Sequence, residues 1–219
     1  MASDLEFKKI YEDIHSCRKC SSVKVSEVPR VVNQAACRSG IVLLAQAPSE
    51  NGVRKSGIHW VGADGCIRRP GGVFLDKYLK QIGYSVDPAA IGFTRPYTTN
   101  VLQCWPGKNG KRDRKPTKDE LQRCKQWWLK EVELIKPRVI ILLGQRAAEA
   151  VEFVLRRHRS FKELLSPLCQ GEEWKFEHFT TKRYVVPHPT AGYVDKSKIY
   201  QTVVDLVREY GPTTSCSPT

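Results

Sequence analysis

The chain has 219 residues, 41% of them apolar, which is enough for one well-packed domain and too few for two of ordinary size. Lys and Arg outnumber Asp and Glu 36 to 23, giving a formal charge of +13. Such a charge either attracts a polyanion, nucleic acid first, or serves only to keep the surface solvated. No apolar run approaches the roughly 18 residues that a membrane helix needs, so no membrane partner is expected.

The first residues, MASDLEFKKIYEDIHSC, alternate charged and apolar side chains and lack the continuous apolar stretch of a secretory signal. A cytoplasmic location is expected. In a reducing compartment, eight cysteines point away from disulfides and toward metal ligation or incidental core thiols. Cys17 and Cys20 form a CxxC, whose turn can face two sulfurs toward one metal centre.

Four short β-branched apolar runs, 41–45, 97–102, 139–143 and 184–186, have the pattern of parallel strands buried on both faces. Helical patterns follow at 73–82 after a Gly-Gly break, at 117–135, at 146–157 and at 199–210. Thr117 and Glu120 have capping-box spacing, with Pro116 just ahead, and fix the start of the second of these. Strands alternating with helices predict an α/β/α sandwich over residues 1–211, ending in a polar tail, 212–219, of disordered composition. The polar residues Gln46, Asn100 and His188 each fall at or just beyond a strand's carboxyl end, where open α/β sheets bind ligands.

The segment KNGKRDRK, 108–115, carries five positive charges and reads as a surface loop. Cys104 and Cys124 flank it with nineteen residues between them, and with Cys17 and Cys20 they supply four thiols. An iron-sulfur cluster or a zinc ion could use the same four ligands, and buried thiols without metal fit the spacing too. Cys37, Cys66, Cys169 and Cys216 have no partner pattern.

Read together, AQAPSENG (45–52), GIHWVGADG (57–65), TTNVLQC (98–104), RKPTKDEL (114–121), VIILLG (139–144) and HPTAGY (188–193) resemble, in order and spacing, the uracil-DNA glycosylase superfamily. The similarity covers nearly the whole chain and is nearest to the iron-sulfur families 4 and 5. It implies a three-layer α/β/α sandwich around a four-stranded parallel sheet and a monofunctional hydrolase that excises uracil from DNA. It also implies a structural four-iron, four-sulfur cluster on Cys17, Cys20, Cys104 and Cys124. The loop AQAPSENGVRKSG is one residue longer than is usual in family 4 and resembles family 5 in length, which leaves the subfamily, and a substrate range of uracil alone or of uracil with hypoxanthine or ethenocytosine, open.

The resemblance also assigns roles. Trp60 stands where family 4 relatives stack an aromatic ring on the everted base, although an indole equally often plugs a core. Asn100 matches the amide that reads the uracil edge, where Asn is otherwise a common turn residue. His188 resembles the histidine that donates to uracil O2 as charge develops there, the alternative being a loop residue that caps the backbone. Gln46 and Ala47 border the same pocket. Ala47 replaces the Asp base of the best-known branch, and Gln46 replaces the family 4 Glu. Glu50 and Asp64 are then the nearby carboxylates available to orient water, or else solvated loop charges. Lys111, Arg112, Arg114 and Lys115 are expected to contact phosphate, the bland reading being a solvated charge run. Tyr193, in the loop after His188, is the expected duplex wedge or a surface ring packed on the last helix. A monomer suits an enzyme that scans DNA. The rival readings are a binding or damage-sensing protein of the same fold without hydrolysis, and a zinc-stabilised RNA-binding module supported only by charge and cysteines.

Overall fold

A computed structural model of the chain describes residues 4–31, 33–193 and 195–210, without the side chains of Asp4, Gln34, Ala35 and Arg112. The tail expected over 212–219, with Cys216 in it, and the boundary at 211 lie outside the described residues. In chain order the elements are α1 (Asp4–Ser16), α2 (Gln34–Cys37), β1 (Ile41–Ala45), α3 (Val53–Ser56), α4 (Gly71–Leu79), β2 (Tyr97–Asn100), β3 (Lys108–Asn109), β4 (Arg112–Asp113), α5 (Lys118–Ile135), β5 (Val139–Leu143), α6 (Gln145–Val154), α7 (Phe161–Leu164), β6 (Glu172–Lys175), β7 (Thr180–Val186) and α8 (Lys196–Val207). No helix of the described residues is long and apolar enough to cross a membrane.

The main sheet has the order β2-β1-β5-β7-β6. The first four strands are parallel, as expected from their apolar runs, and β6 adds a fifth, antiparallel to β7. That edge strand escapes the sequence pattern because EEWK has a single apolar side chain, Trp174, which is buried on Trp128. It pairs through a hairpin closed by Phe176 N–H donating to Phe179 O, and pairing extends β7 back to Thr180. A polar edge also blunts pairing with other chains.

The residues of β1, β5 and β7 alternate between two cores, as side chains on a strand must. Val42, Leu44, Ile140, Leu142 and Val185 meet α1, α5 and α6 on one side. Ile41, Leu43, Val139, Ile141, Leu143 and Val186 meet α4 and α8 on the other. The three layers follow directly from this double burial.

Helix starts follow local chemistry. Thr117 Oγ1 accepts from Glu120 N–H while the Glu120 carboxylate accepts from Thr117 N–H, which completes the expected capping box of α5. Helix α4 begins two residues ahead of expectation, at Gly71, because the two glycines are inside the helix and do not break it. A Cβ on Gly71 would come within 2.8 Å of Thr190, so only glycine lets this helix end approach the loop that follows β7. After β2, the chain leaves strand geometry at Asn100, although Val101 and Leu102 N–H still donate to Ala45 and Gln46 O. The tail of the predicted strand is thus a bend beside β1.

Candidate active site

The carboxyl ends of β1, β2 and β7 open into one cleft of about 410 Å³. It is lined by Gln46 and Ala47 from β1's exit, by Asn100 from the end of β2, by His188 beyond β7, and by Trp60 from the loop before α4. Parallel pairing sets this up, since Ala45 lies level with Asn100, and Leu143 level with Val186.

Asn100 is 1% exposed, and its Nδ2 has no hydrogen-bond partner among the described residues. An unmatched buried amide donor costs about 1–3 kcal/mol, so its retention in a cleft wall marks a place for an acceptor from a ligand. The backbone below it is fixed, because Gln103 Nε2 donates to Asn100 O at 2.8 Å and to Thr99 Oγ1 at 3.0 Å. Thr99 and Tyr97 in turn donate to Glu131, which is fully buried and ion-paired with Arg30.

His188 is oriented by its own loop. Nδ1 faces Thr190, with Oγ1 at 2.8 Å and the backbone N–H donating at 3.3 Å, an arrangement that favours the neutral tautomer with its proton on Nε2. Burial, with Lys196 nearby, pushes the imidazole pKa down to about 4, so the ring is neutral at neutral pH. The loop is clamped by Lys196 Nζ, which donates to Pro189 O and Ala191 O at 2.9 Å each, and by Tyr200, which donates to Pro187 O. Gly144 also presses on this loop: at φ 91° a Cβ there would sit 2.8 Å from His188 Cβ. The backbone-capping contact expected of an unremarkable histidine is therefore present on one nitrogen, while the other stays available.

Trp60 is half-buried, and its ring centroid lies 6.1 Å from that of His188. Its φ is 67°, a left-handed conformation that costs a bulky residue about 1–3 kcal/mol. Arg68 N–H donating to Trp60 O at 2.7 Å and the Val61–Ile67 bridge hold it there. The indole Nε1 has no partner among the described residues.

Several expected residues stand elsewhere. Glu50 does not line the cleft and is paired with Lys108 at 2.5 Å, whose hydrogen bond holds its carboxyl below the usual range. Asp64 is exposed, turned onto Cys66 N–H, and also absent from the lining. Lys111 and Lys115 are exposed, but Arg114 donates twice to the buried Glu120. Burial raises the Glu120 carboxyl, yet Arg114, Ser22 and Thr117 outweigh it and hold the group at about 2. Of Arg112 only the strand backbone is described. Tyr193 is 41% exposed and meets Phe161 of α7 edge-on, while its carbonyl accepts from Lys196 N–H at the start of α8.

Among the lining residues not assigned to the cleft from sequence, four are titratable: His59, Arg68, Arg69 and Asp113. Burial, then Arg30 and Arg95, push the His59 pKa well below its ordinary value, so its ring is neutral. The one available signal for Asp113 was a lone acid within a basic loop. Arg68 and Arg69 show only as a dibasic pair beside the glycines.

Cys17, Cys20, Cys104 and Cys124 line a single second cavity, between the end of α1, the bend after β2 and the first turns of α5. Burial pushes the Cys104 thiol up to about 11 and that of Cys124 up to about 12, and Gln103 N–H donates to Cys124 Sγ at 3.1 Å. The four thiols border one space. A donor set of four soft sulfurs around a cavity, with an N–H aimed at one of them, fits a thiolate-held metal group.

The uracil DNA glycosylase superfamily model matches residues 33–208. The chain belongs to this superfamily. A type-4 uracil-DNA glycosylase of Archaeoglobus fulgidus is 34% identical over 144 residues, which are 65% of this chain and 61% of that protein. Another type-4 enzyme, of Sulfurisphaera tokodaii, is 24% identical over 92% of this chain and 83% of its own. A type-5 uracil-DNA glycosylase of Pyrobaculum aerophilum is 27% identical over 52% of this chain and 49% of its own. The superfamily match spans every strand of the main sheet and all five cleft residues from the strand ends and the Trp60 loop, while Cys17 and Cys20 precede it.

Proposed function

We propose that this chain is a DNA-repair uracil-DNA glycosylase, which everts uracil from DNA and hydrolyses its glycosidic bond to leave an abasic site. The observation that carries the reading is the convergence of a buried Asn100 amide with an unpartnered Nδ2, the His188 imidazole with its Nδ1 turned onto Thr190, and the Trp60 indole in one cleft of a superfamily member.

The target atoms of a stacked base are hidden, so the nucleotide must rotate out of the duplex into the cleft. Trp60 stacks on the everted ring, an interaction worth about 1–3 kcal/mol. Asn100 pairs with the uracil edge, its Nδ2–H toward O4 and its Oδ1 toward N3–H, a pattern that cytosine reverses. Gln46 and Ala47 complete the wall. Breaking the bond leaves negative charge on the uracil, and the His188 Nε2–H donates to O2 as that charge develops. A neutral donor fits this role, because it stabilises the anion without first giving up a proton. Lys111 and Lys115 hold the DNA backbone, and Tyr193 fills the space that the base vacates.

Cys17, Cys20, Cys104 and Cys124 would hold a four-iron, four-sulfur cluster, which ties α1 to α5 and to the bend beyond Asn100. Its chemistry there is that of a structural crosslink. The residues through 211 act as one domain and as a monomer, in the cytoplasm, where the thiols stay reduced.

Uracil-containing single- and double-stranded oligonucleotides, incubated with the chain and then treated with alkali, should be cleaved at the uracil. Intact DNA after tight binding would overturn the enzyme reading. Broad absorption in the violet-blue with stoichiometric iron would support the cluster, and a colourless zinc protein would refute it.

A further inference from the structure

Among the described residues the cleft has one carboxylate in its lining, and it is Asp113. It comes from β4, the second strand of the two-stranded hairpin inside the basic segment, where Asp113 pairs with Lys108. The hairpin is fastened on several sides. Trp105 Nε1 donates to Asp113 Oδ1 at 3.0 Å, Gln46 Nε2 donates to Arg114 O at 3.4 Å, and Arg114 N–H donates to Gly107 O at 3.0 Å. Lys108 meets Glu50 at 2.5 Å, and Arg114 grips Glu120. These contacts make Glu50 and Arg114 fixtures that hold Asp113 in place. Asp113 Oδ2 accepts no hydrogen bond among the described residues.

We propose that Asp113 is the carboxylate that orients and deprotonates the attacking water; this rests on the glycosylase reading above. Heterolysis of the C1′–N1 bond leaves its electron pair on the uracil and positive charge on the sugar. The water oxygen forms the new C1′–O bond and its proton passes to Asp113, which later returns it to solvent, while the departed uracil anion takes a proton on release. The same carboxylate faces the cationic sugar, so it supplies charge stabilisation as well as a proton acceptor. Glu50 and Asp64 lie outside the cleft, and Ala47 carries no acid, so the hairpin provides the group that the strand ends lack.

The test is single-turnover excision by the full chain, carrying its native metal, on a uracil duplex, with Asp113→Asn and Asp113→Ala beside wild type. Binding is measured in parallel on a duplex bearing a 2′-fluorinated, non-hydrolysable deoxyuridine. Both variants should excise about 10²- to 10⁴-fold more slowly, as loss of a general base does, with binding unchanged; Asp113→Asn, which keeps an oxygen for the Trp105 indole N–H, should also keep the wild-type melting temperature. Added formate should restore part of the rate of Asp113→Ala, which replaces the missing carboxylate, and none of Asp113→Asn. An Asp113→Asn rate equal to wild type overturns the proposal, as does a parallel loss of binding and excision that formate leaves untouched. If wild type itself excises nothing, the glycosylase reading fails and this inference with it; an active wild type with an equally active Asp113→Asn removes this inference alone.

Discussion

Two side chains at the cleft carry consequences that follow from single atoms. The unmatched Asn100 Nδ2 makes the site selective by what it offers, since a carboxylate in the same place would accept from the cytosine amino group. Asn100→Asp is therefore expected to reduce the preference for uracil over cytosine by about 10- to 100-fold, measured as relative single-turnover rates on matched duplexes. For His188, the Thr190 N–H against Nδ1 favours the Nε2–H tautomer, and burial lowers the pKa from 6.5 to about 4. Nitrogen NMR of labelled protein should find Nε2 protonated and Nδ1 bare at neutral pH, with no titration near 6.5. The sign of the linkage follows. As pH falls from 6.5 toward 4 the unfolded chain binds a proton that the folded ring refuses, so this group makes stability decline across that window and not above it. A ring found charged at neutral pH would contradict the assigned geometry.

At the scale of elements, the support for Asn100 comes from packing between α5 and β2. Glu131 of α5 is buried against Thr99 and Tyr97 and is neutralised by Arg30, which arrives from the loop after α1. Removing one partner of a buried pair strands the other charge, so Arg30→Met is expected to cost about 3–5 kcal/mol in chemical denaturation, and Arg30→Met with Glu131→Leu to recover part of it. The elements themselves were largely legible. Apolar runs gave β1, β5 and the core of β7, and Thr117 with Glu120 gave the start of α5. What escaped was β6, whose polar residues acquire strand geometry only by pairing with β7, and the β3–β4 hairpin, whose charges resemble those of any solvated loop. Both depend on hydrogen bonds to a neighbour, which leave no periodic trace in the chain.

Across the whole molecule, the +13 charge predicts DNA binding that weakens steeply with salt. Each phosphate contact contributes about 0.9 to the slope of log K against log salt, so Lys111→Ala and Lys115→Ala should each flatten it by about 1. Arg114→Ala should instead lower the melting temperature, because it frees the buried Glu120 carboxylate and not a phosphate contact. Taken alone, the sequence determined the sandwich, the superfamily and the identity of the cleft's Trp, Asn and His, since these rest on apolar periodicity and on ordered motifs. The tertiary structure decided which charged groups reach that cleft. Glu50, Asp64 and Arg114 are drawn away by Lys108, Cys66 N–H and Glu120, while Asp113 is carried in on a hairpin. A charged side chain is long, and its direction is set by whichever partner lies within reach, a choice made only when distant segments meet.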